Sequence, residues 1–428
     1  MGKQKICIIG LGYIGLPTAV MFATHGHKIV GVDVNDNIVT AINDARSIIK
    51  EPYLDILVQA AVKSGNLKAQ KVPEEADVFI IAVPTPIQSD KTADMSYVVA
   101  ATKAIVPYLR EGNVVVLEST SPTGTVNEIM IPVLAESGLV IGEELMVAHS
   151  PERVLPGKIL IELVENSRIV GGINRKSAEM VRELYETFVN GEIYLTDTTT
   201  AEMCKMMENT YRDVNIALAN ELAIICEKAG INAWEVIQLC NKHPRVNIHQ
   251  PGPGVGGHCL AVDPWFIVEK YPEETQIISL ARRTNDAMPE HVAGKIDYIL
   301  RDISGKKKIT ILGITYKPDV DDVRESPIIY LIELLKQRED YDISIVDPFV
   351  KNGEYKTVEL LPAVRESDLV LLGVNHKEFA SVDFRAVYSV MRNKNLLDTR
   401  NSLNGDELER LGFHYFLLGG GVINKKVQ

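Results

Sequence analysis

Apolar residues enter this chain as short runs cut off by glycine. "KICIIG" and "HKIVGVD" frame a segment of helical length, which predicts a strand, a helix and a second strand. "ADVFIIAVPTP" and "NVVVLESTSPTGT" repeat the theme, each run stopped by Pro, Ser or Thr. Runs that are apolar throughout, rather than alternating, belong to strands covered on both faces, so the first part of the chain predicts a parallel sheet flanked by helices. The pattern then changes at "TDTTTAEMCKMMENTYRDVNIALANELAIICEKAG", which has no internal Gly or Pro, ends at Gly230, and carries apolar positions at Val214, Leu218, Leu222 and Ile225. This is one long helix. Beyond a glycine-rich segment and a further helical stretch, "KKITILGITY", "DISIVDP", "DLVLLGV" and "KNLLDTR" supply strands again, with "ESPIIYLIELLKQRE" as an amphipathic helix. The two ends resemble each other in rhythm, not in residues.

The first strand carries a chemical signal as well. Gly10, Gly12 and Gly15 form G-x-G-x-x-G between that strand and the helix after it, and Asp33 closes the second strand 23 residues beyond Gly10. Glycines permit the tight turn and a close approach of backbone to pyrophosphate, with the N–H groups of Tyr13 and Ile14 at the helix start facing the phosphates. Asp33 suits an adenosine ribose 2′-hydroxyl and repels a 2′-phosphate, so NAD is expected rather than NADP. Thr85 and Thr120 follow later strands at the edge where such sheets bind ligands, although turn or cap roles fit them equally. The fold class expected is α/β, with two Rossmann-like doubly wound domains joined by a long central helix. Its divisions are an NAD-binding domain 1–197, a central helical and dimerisation domain 198–300, and a C-terminal α/β domain 301–428.

Composition narrows the partners. The formal charge of −12 over 428 residues argues against nucleic acid, whose phosphates need clustered Lys and Arg. No stretch reaches the roughly 20 apolar residues of a membrane span. The N-terminal run has no cleavage site, and Ile6 spoils a myristoylation match after Gly2. Five widely spaced cysteines without C-x-x-C predict neither a disulfide framework nor a zinc site, no metal is expected, and a reducing cytoplasm fits best.

Among those cysteines, Cys7, Cys226 and Cys240 sit in apolar or helical sequence and are expected to pack inertly. Cys259 differs, because "QPGPGVGGHCLAVDP" places it after four glycines, where backbone is pliable and a ligand can come close. A thiolate gains reactivity beside cations or hydrogen-bond donors. On the long helix Lys205, Asn209 and Arg212 share a face at i, i+4 and i+7, which is also how a solvated face looks. Glu202 is expected to complete a capping box with Thr199. A nucleophilic cysteine together with NAD implies oxidation of a primary alcohol through aldehyde, thiohemiacetal and thioester to a carboxylate, with two NAD per turnover. A two-electron hydroxy-acid dehydrogenase and a non-catalytic nucleotide- or redox-sensing module are the competing readings.

"GLGYIGLP", "STSPTGT", "HSPERVLPGK", "AEMCKMMENTYRDVNIALANEL", "PGVGGHCLAVDP" and "TYKPDVDDVRESP" resemble, in order and over most of the chain, the signatures of the nucleotide-sugar 6-dehydrogenases of the UDP-glucose and GDP-mannose dehydrogenase class. "HSPERVLPG", "ENTYRDVNIA" and His258 are most similar to the branch acting on UDP-N-acetyl-D-mannosamine, whereas UDP-glucose enzymes typically have Ser at His258 and "EFL" at Glu152, Arg153 and Val154. The resemblance implies Cys259 as nucleophile, Lys205 as acid/base or oxyanion partner, and Asn209 holding the oxyanion or a water. It implies Asp263 orienting the lysine or the cysteine region, and Glu152 with Thr120 positioning the hydrolytic water. Implied substrate contacts are Arg153, Val154, Lys205, Asn209, Arg212, Gly256, Tyr316, Lys317 and Arg400, with His243 and Arg245 reaching a neighbouring subunit's substrate. Arg324 would touch the cofactor pyrophosphate. The implied substrate is a UDP-sugar, UDP-N-acetyl-D-mannosamine first, with UDP-N-acetylglucosamine, UDP-glucose and GDP-mannose as alternatives, and the implied assembly is a homodimer or higher homo-oligomer.

Overall fold

Successive residues of each central strand go to opposite cores, which is why the runs are apolar throughout. Ile6 and Ile8 join one buried cluster with Ile80 and Val116, while Cys7 and Ile9 join a second with Phe79 and Leu117. The computed structural model describes residues 2–351 and 354–421. Its first sheet contains β1 (Lys5–Ile9), β2 (Lys28–Val32), β3 (Leu67–Gln70), β4 (Val78–Ile81), β5 (Val114–Leu117), β6 (Met146–His149), β7 (Arg168–Gly172) and β8 (Ile193–Asp197), in the order β3-β2-β1-β4-β5-β6-β7-β8. The second contains β9 (Lys307–Leu312), β10 (Tyr341–Val346), β11 (Leu369–Leu372), β12 (Asn395–Asp398) and β13 (His414–Leu417), in the order β10-β9-β11-β12-β13 and parallel throughout. In each sheet the first strand has its successor on one side and a later strand on the other. That reversal opens a crevice at the carboxyl ends, where ligands bind in such folds.

One pairing departs from the parallel sheet the sequence predicts. β6 and β7 run antiparallel, through Ala148–Gly172 and His149–Gly171. An antiparallel neighbour starts at the edge where its predecessor stops, so the segment from Pro151 to Ser167 stays on the carboxyl edge instead of crossing the sheet. Glu152, Arg153 and Val154 lie in that segment.

The two sheets also match in more than rhythm. The Gly10 N–H donates to the Val32 carbonyl (2.8 Å), and the Leu11 N–H donates to Asp33 Oδ2 (3.0 Å). In the second sheet the Gly313 N–H donates to the Val346 carbonyl (2.8 Å), and the Ile314 N–H to Asp347 Oδ2 (2.8 Å). Both glycines have positive φ, +92° and +84°. The shared residues surround these two turns: Lys5, Ile6, Ile8 and Tyr13 stand about Gly10 as Lys308, Ile309, Ile311 and Tyr316 stand about Gly313, and Val32 precedes Asp33 as Val346 precedes Asp347.

The chain forms two compact units, one of residues 1–208 with 265–272, the other of 209–264 with 273–428. The predicted long helix is Thr198–Ala229, ended by Gly230 at φ +73°. Asp197, not Thr199, caps it, accepting from the Thr200 N–H (2.9 Å) and hydroxyl (2.6 Å). The helix presents part of its apolar stripe outward, with Leu218 55% and Ile225 53% exposed. Cys7 and Cys226 are buried, and burial pushes the Cys7 thiol up to about 12. Cys240 is not packed as expected. It ends the helix Ala233–Cys240, where its side is exposed. Among the described residues no helix is long and apolar enough to cross a membrane.

A buried ion pair ties the first unit together. Glu118, just past β5, accepts from Arg168 (2.9 Å), from the Tyr185 hydroxyl (2.6 Å) and from Thr18 on the helix after the glycine turn (3.1 Å). The Arg168 guanidinium also stacks 4.0 Å from the Tyr185 ring centroid. Burial raises the Glu118 pKa, with Arg168 the main opposing influence. Removing the cation alone leaves a buried carboxylate with two hydroxyl donors but no counter-charge. Arg168→Met is therefore expected to lose about 3–5 kcal/mol in urea unfolding, and Arg168→Met with Glu118→Gln to recover part of the loss. Equal stability of the single variant and the parent would contradict this.

Candidate active site

In the glycine turn the three glycines have different work. A Cβ on Gly10 would lie 2.4 Å from the Ala82 carbonyl oxygen, and one on Gly15 would lie 1.8 Å from that of Gly10, so the turn's own packing excludes side chains there. At Gly12 nothing lies within 4 Å. That open side is where an incoming phosphate needs bare backbone. The helix Gly15–Thr24 begins after Ile14 without a side-chain cap, and Tyr13 is 43% exposed beside it. Asp33 takes the Leu11 N–H on one oxygen (3.0 Å) and the Asn35 N–H on the other (2.9 Å), and stands beside the exposed Val34. These residues fit a dinucleotide. Thr85 donates to the Thr120 carbonyl (2.6 Å), locking the loops after β4 and β5 together at the same edge.

Glu202 does not form the predicted capping box. It is fully buried and accepts from the backbone N–H groups of Gly124 (2.5 Å) and Val126 (2.9 Å), so the helix holds the turn that follows Thr120. A tertiary partner has outcompeted the local one. Glu152 and Lys205, 9% and 7% exposed, meet with Lys205 Nζ 3.4 Å from Glu152 Oε1. The other Glu152 oxygen accepts from the Val154 N–H (2.8 Å). Arg153 donates to the Ser167 carbonyl (3.0 Å) and pairs with Glu208, a partner sequence reasoning missed although it stands three residues beyond Lys205.

One turn along the same helix, Asn209 Nδ2 donates to Asp263 Oδ2 at 2.6 Å. Both are buried, at 8% and 2% exposure. Asp263 opens the helix Asp263–Lys270, and its N–H donates to the Cys259 carbonyl (2.8 Å), as does that of Val262 (3.0 Å). The thiol-bearing residue is thereby tied to Asn209 through Asp263, and Cys259 itself is exposed.

The glycines before it serve a contact that the sequence does not reveal. A Cβ on Gly256 would fall 2.2 Å from the Glu325 carbonyl oxygen, and one on Gly257, at φ +87°, would fall 2.8 Å from the Tyr316 ring. A Cβ on Gly254 would meet Pro327 at 2.8 Å. The loop is glycine-rich because it lies flush against residues 316–327. Asp322 is the polar centre of that contact, missed in the sequence despite lying within "TYKPDVDDVRESP". It binds Arg324 through both oxygens (2.9 and 2.7 Å), and His258 Nε2 approaches it at 3.6 Å. Burial works to raise its pKa, but the hydrogen bonds from His258 and Arg324 hold it well below the usual carboxylate range. Arg324 is thus engaged with its own loop.

Lys317 lies with its Nζ 5.8 Å from the Tyr316 ring centroid. Arg400 donates Nε to the Gly373 carbonyl (3.0 Å) and lies against Gly252, whose Cβ would be 2.7 Å from its guanidinium. Burial lowers the Arg400 pKa to about 10, against the pull of Asp398. A half-buried cation there gains from an anionic ligand. Arg212, His243 and Arg245 are exposed, the last two joined by the Arg245 N–H on His243 Nδ1 (3.3 Å).

Family models of the UDP-glucose/GDP-mannose dehydrogenase family match the chain three times, as the NAD binding domain over residues 4–189, the central domain over 199–287 and the UDP binding domain over 310–405. The chain belongs to that family. It is an NAD-dependent nucleotide-sugar dehydrogenase, and the glycine turn with Asp33 lies within the residues matched by the NAD binding domain. It is similar to the UDP-N-acetyl-D-mannosamine dehydrogenase of Methanocaldococcus jannaschii, 49% identical over 98% of this chain and 97% of that protein. It is also similar to an NDP-N-acetyl-D-galactosaminuronic acid dehydrogenase of Ralstonia solanacearum, 46% identical over 95% of this chain and 97% of that protein. Among solved structures it is similar to the UDP-D-ManNAc dehydrogenase of Pyrococcus horikoshii, with TM-score 0.92 and 40% identity over 97% of this chain and 99% of the other.

Glu202 gives this dehydrogenase a pH signature. Burial raises its pKa from 4.5 to about 7, against the two backbone donors. The folded protein holds this proton more tightly than the unfolded chain, so the contribution is full below 4.5 and is lost as pH rises through about 7. Relative to Glu202→Gln, the parent should lose about 3 kcal/mol in urea unfolding between pH 4.5 and 7.5. Parallel profiles for the two proteins would contradict the assignment.

Proposed function

We propose that this dehydrogenase oxidises the C6 hydroxymethyl of UDP-N-acetyl-D-mannosamine to the carboxylate, a four-electron reaction using two NAD. In this reading residues 1–197 hold NAD, 198–300 form the central helical and dimerising domain, and 301–428 hold the uridine diphosphate, with the protein working in the cytoplasm. The observation that carries the reading is the pairing of two buried polar groups with carboxylates on neighbouring turns of one helix, Lys205 with Glu152 and Asn209 with Asp263, the latter bonded to Cys259. A structural helix face has no reason to bury both an ammonium and an amide there. The sugar is supported by the names of the mannosamine relatives; the galactosaminuronic relative makes the epimer the point to test.

NAD, when bound, supplies the hydride acceptor for both oxidations. Lys205, in its neutral amine form, takes the proton from the C6 hydroxyl as the aldehyde forms and becomes the ammonium that faces Glu152. The Cys259 thiolate then adds to the aldehyde carbon, and Asn209 donates to the resulting oxyanion. The second oxidation leaves a thioester on Cys259. Glu152, with Thr120, accepts the proton of a water attacking that thioester, the C–S bond breaks, and the acid departs as the thiolate is restored. Asp263 keeps Asn209 and the Cys259 backbone in place. Arg400 and Lys317, with Arg153, Val154, Arg212, Tyr316 and the Gly256 backbone, bind the UDP-sugar. Arg324, held by Asp322, would contact the pyrophosphate of a bound NAD.

A panel of UDP-N-acetylmannosamine, UDP-N-acetylgalactosamine, UDP-N-acetylglucosamine, UDP-glucose and GDP-mannose, with NADH counted per sugar consumed, tests the reading. The expected result is highest kcat/KM for the mannosamine sugar and two NADH per molecule. One NADH would remove the thioester and favour a two-electron dehydrogenase. No NADH with any sugar would favour a sensing module. Cys259→Ala should cut acid formation on the order of 1000-fold or more, as expected for loss of a nucleophile.

The assembly in this reading is a homodimer built on the long helix. Met207, Tyr211, Leu218 and Ile225, 41%, 56%, 55% and 53% exposed, lie in one stripe at spacings of four and seven residues. Such a stripe suits a second copy of the same helix. His243 and Arg245 would then reach the partner's substrate. Leu218→Glu with Ile225→Glu should yield a monomer by light scattering with a raised KM for the UDP-sugar. An unchanged mass would remove this interface.

A further inference from the structure

The segment carrying Cys259 is anchored at both ends by one chain of buried hydrogen bonds that the reaction itself does not use. At its start, the Gly252 N–H donates to Asn220 Oδ1 (2.8 Å). Asn220 Nδ2 donates to Asn285 Oδ1 (2.9 Å), and Asn285 Nδ2 donates to the Asp213 carboxylate (2.8 Å) and to its carbonyl (3.0 Å). Asp213 accepts in turn from Arg282 Nη1, and the same nitrogen reaches the carbonyl of Leu260 (3.4 Å), the residue after Cys259. Asn220 and Asp213 stand on the long helix, and Arg282 and Asn285 on the helix Gln276–Asp286. All four are at most 1% exposed.

We propose that this circuit positions Cys259, with Arg282 and Asn220 as its two contacts to the loop. Between Gly252 and Leu260 lie Gly254, Gly256 and Gly257, so the segment has much backbone freedom to restrain. Packing against residues 316–327 restrains one side of it. The circuit restrains its ends, and it does so from a dry interior where hydrogen bonds to an arginine and an aspartate are stiff and costly to break. Four side chains buried to this extent would be more simply replaced by apolar ones if they served the packing of two helices alone. Arg282 also pairs with Asp286 of its own helix and Asn285 with the Asp213 carbonyl, but the circuit's two outer contacts, to the Gly252 N–H and the Leu260 carbonyl, lie on loop backbone and point to the loop as what it holds. The circuit acts through Cys259, and so the inference rests on the nucleophilic role proposed above.

Two conservative variants of the full chain test it. Asn220→Asp keeps an acceptor for Gly252 and loses the donation to Asn285, and Arg282→Lys keeps a cation beside Asp213 and loses the reach to Leu260. A nucleophile displaced by about 1 Å costs up to roughly 100-fold, so kcat should fall roughly 10- to 100-fold in each, while the KM for NAD stays unchanged. Amide hydrogen exchange should accelerate in the peptide 251–262 while the helices Thr198–Ala229 and Gln276–Asp286 keep their protection. Parental kcat despite faster loop exchange would overturn the proposal, as would exchange that accelerates along both helices, since that assigns the circuit to folding alone. If Cys259→Ala retains acid formation, the nucleophile assignment fails instead, and the loop-exchange result still reports whether the circuit holds the segment.

Discussion

Contact between two backbones, at Gly256 and Glu325, is the constraint on which the C-terminal unit's chemistry rests. A methyl group at Gly256 would overlap a carbonyl oxygen, and no side-chain rotation relieves a clash with backbone. From that contact follow the approach of His258 to Asp322, the stacking of Gly257 on Tyr316 and the place of Cys259 at the end of the loop. The Cys259 loop and residues 316–327 are thus parts of one packed surface, although they come from segments about 60 positions apart in the chain.

Features with a local cause were legible in the sequence. The glycine turn, the aspartate beyond the second strand, the apolar runs and the long helix ended by Gly230 each depend on residues near one another, and the structure has them. Features with a distant cause were not. Glu202 has a plausible partner three residues away, yet it goes to Gly124 and Val126, because orphan N–H groups in the interior have a stronger claim on a buried carboxylate than an exposed helix start has. The antiparallel pairing of β6 with β7 and the exposure of Cys240 depend in the same way on where other elements end. Within the candidate site the glycine-rich loop marked Cys259 and the helix spacing marked Lys205 and Asn209, while family resemblance supplied their implied roles and added Asp263. Asp322 and Glu208 went unnoticed because a carboxylate among other charges carries no signal until its partner's position is known.

The paired aspartates show how one framework can be put to different uses. Asp33 accepts two backbone hydrogen bonds and keeps a partly open position beside Val34. Asp347 accepts from Ile314, Phe349 and Val350 and also from His376 Nε2 (3.2 Å), and is 6% exposed. His376 Nδ1 in turn accepts from the Asp319 N–H (2.9 Å), which fixes the proton on Nε2 and pins the loop that contains Tyr316 and Lys317. Where the first sheet offers its acid outward, the second has closed it with a histidine.

The long helix has one more consequence. Lys205 and Asn209 owe their shared face to a separation of four residues, and a helix advances about 100° per residue. A single residue inserted between them would swing one away from the other by that angle while leaving composition, charge and helix propensity almost unchanged. The segment therefore tolerates changes of letter far better than changes of length: its function is encoded as a count.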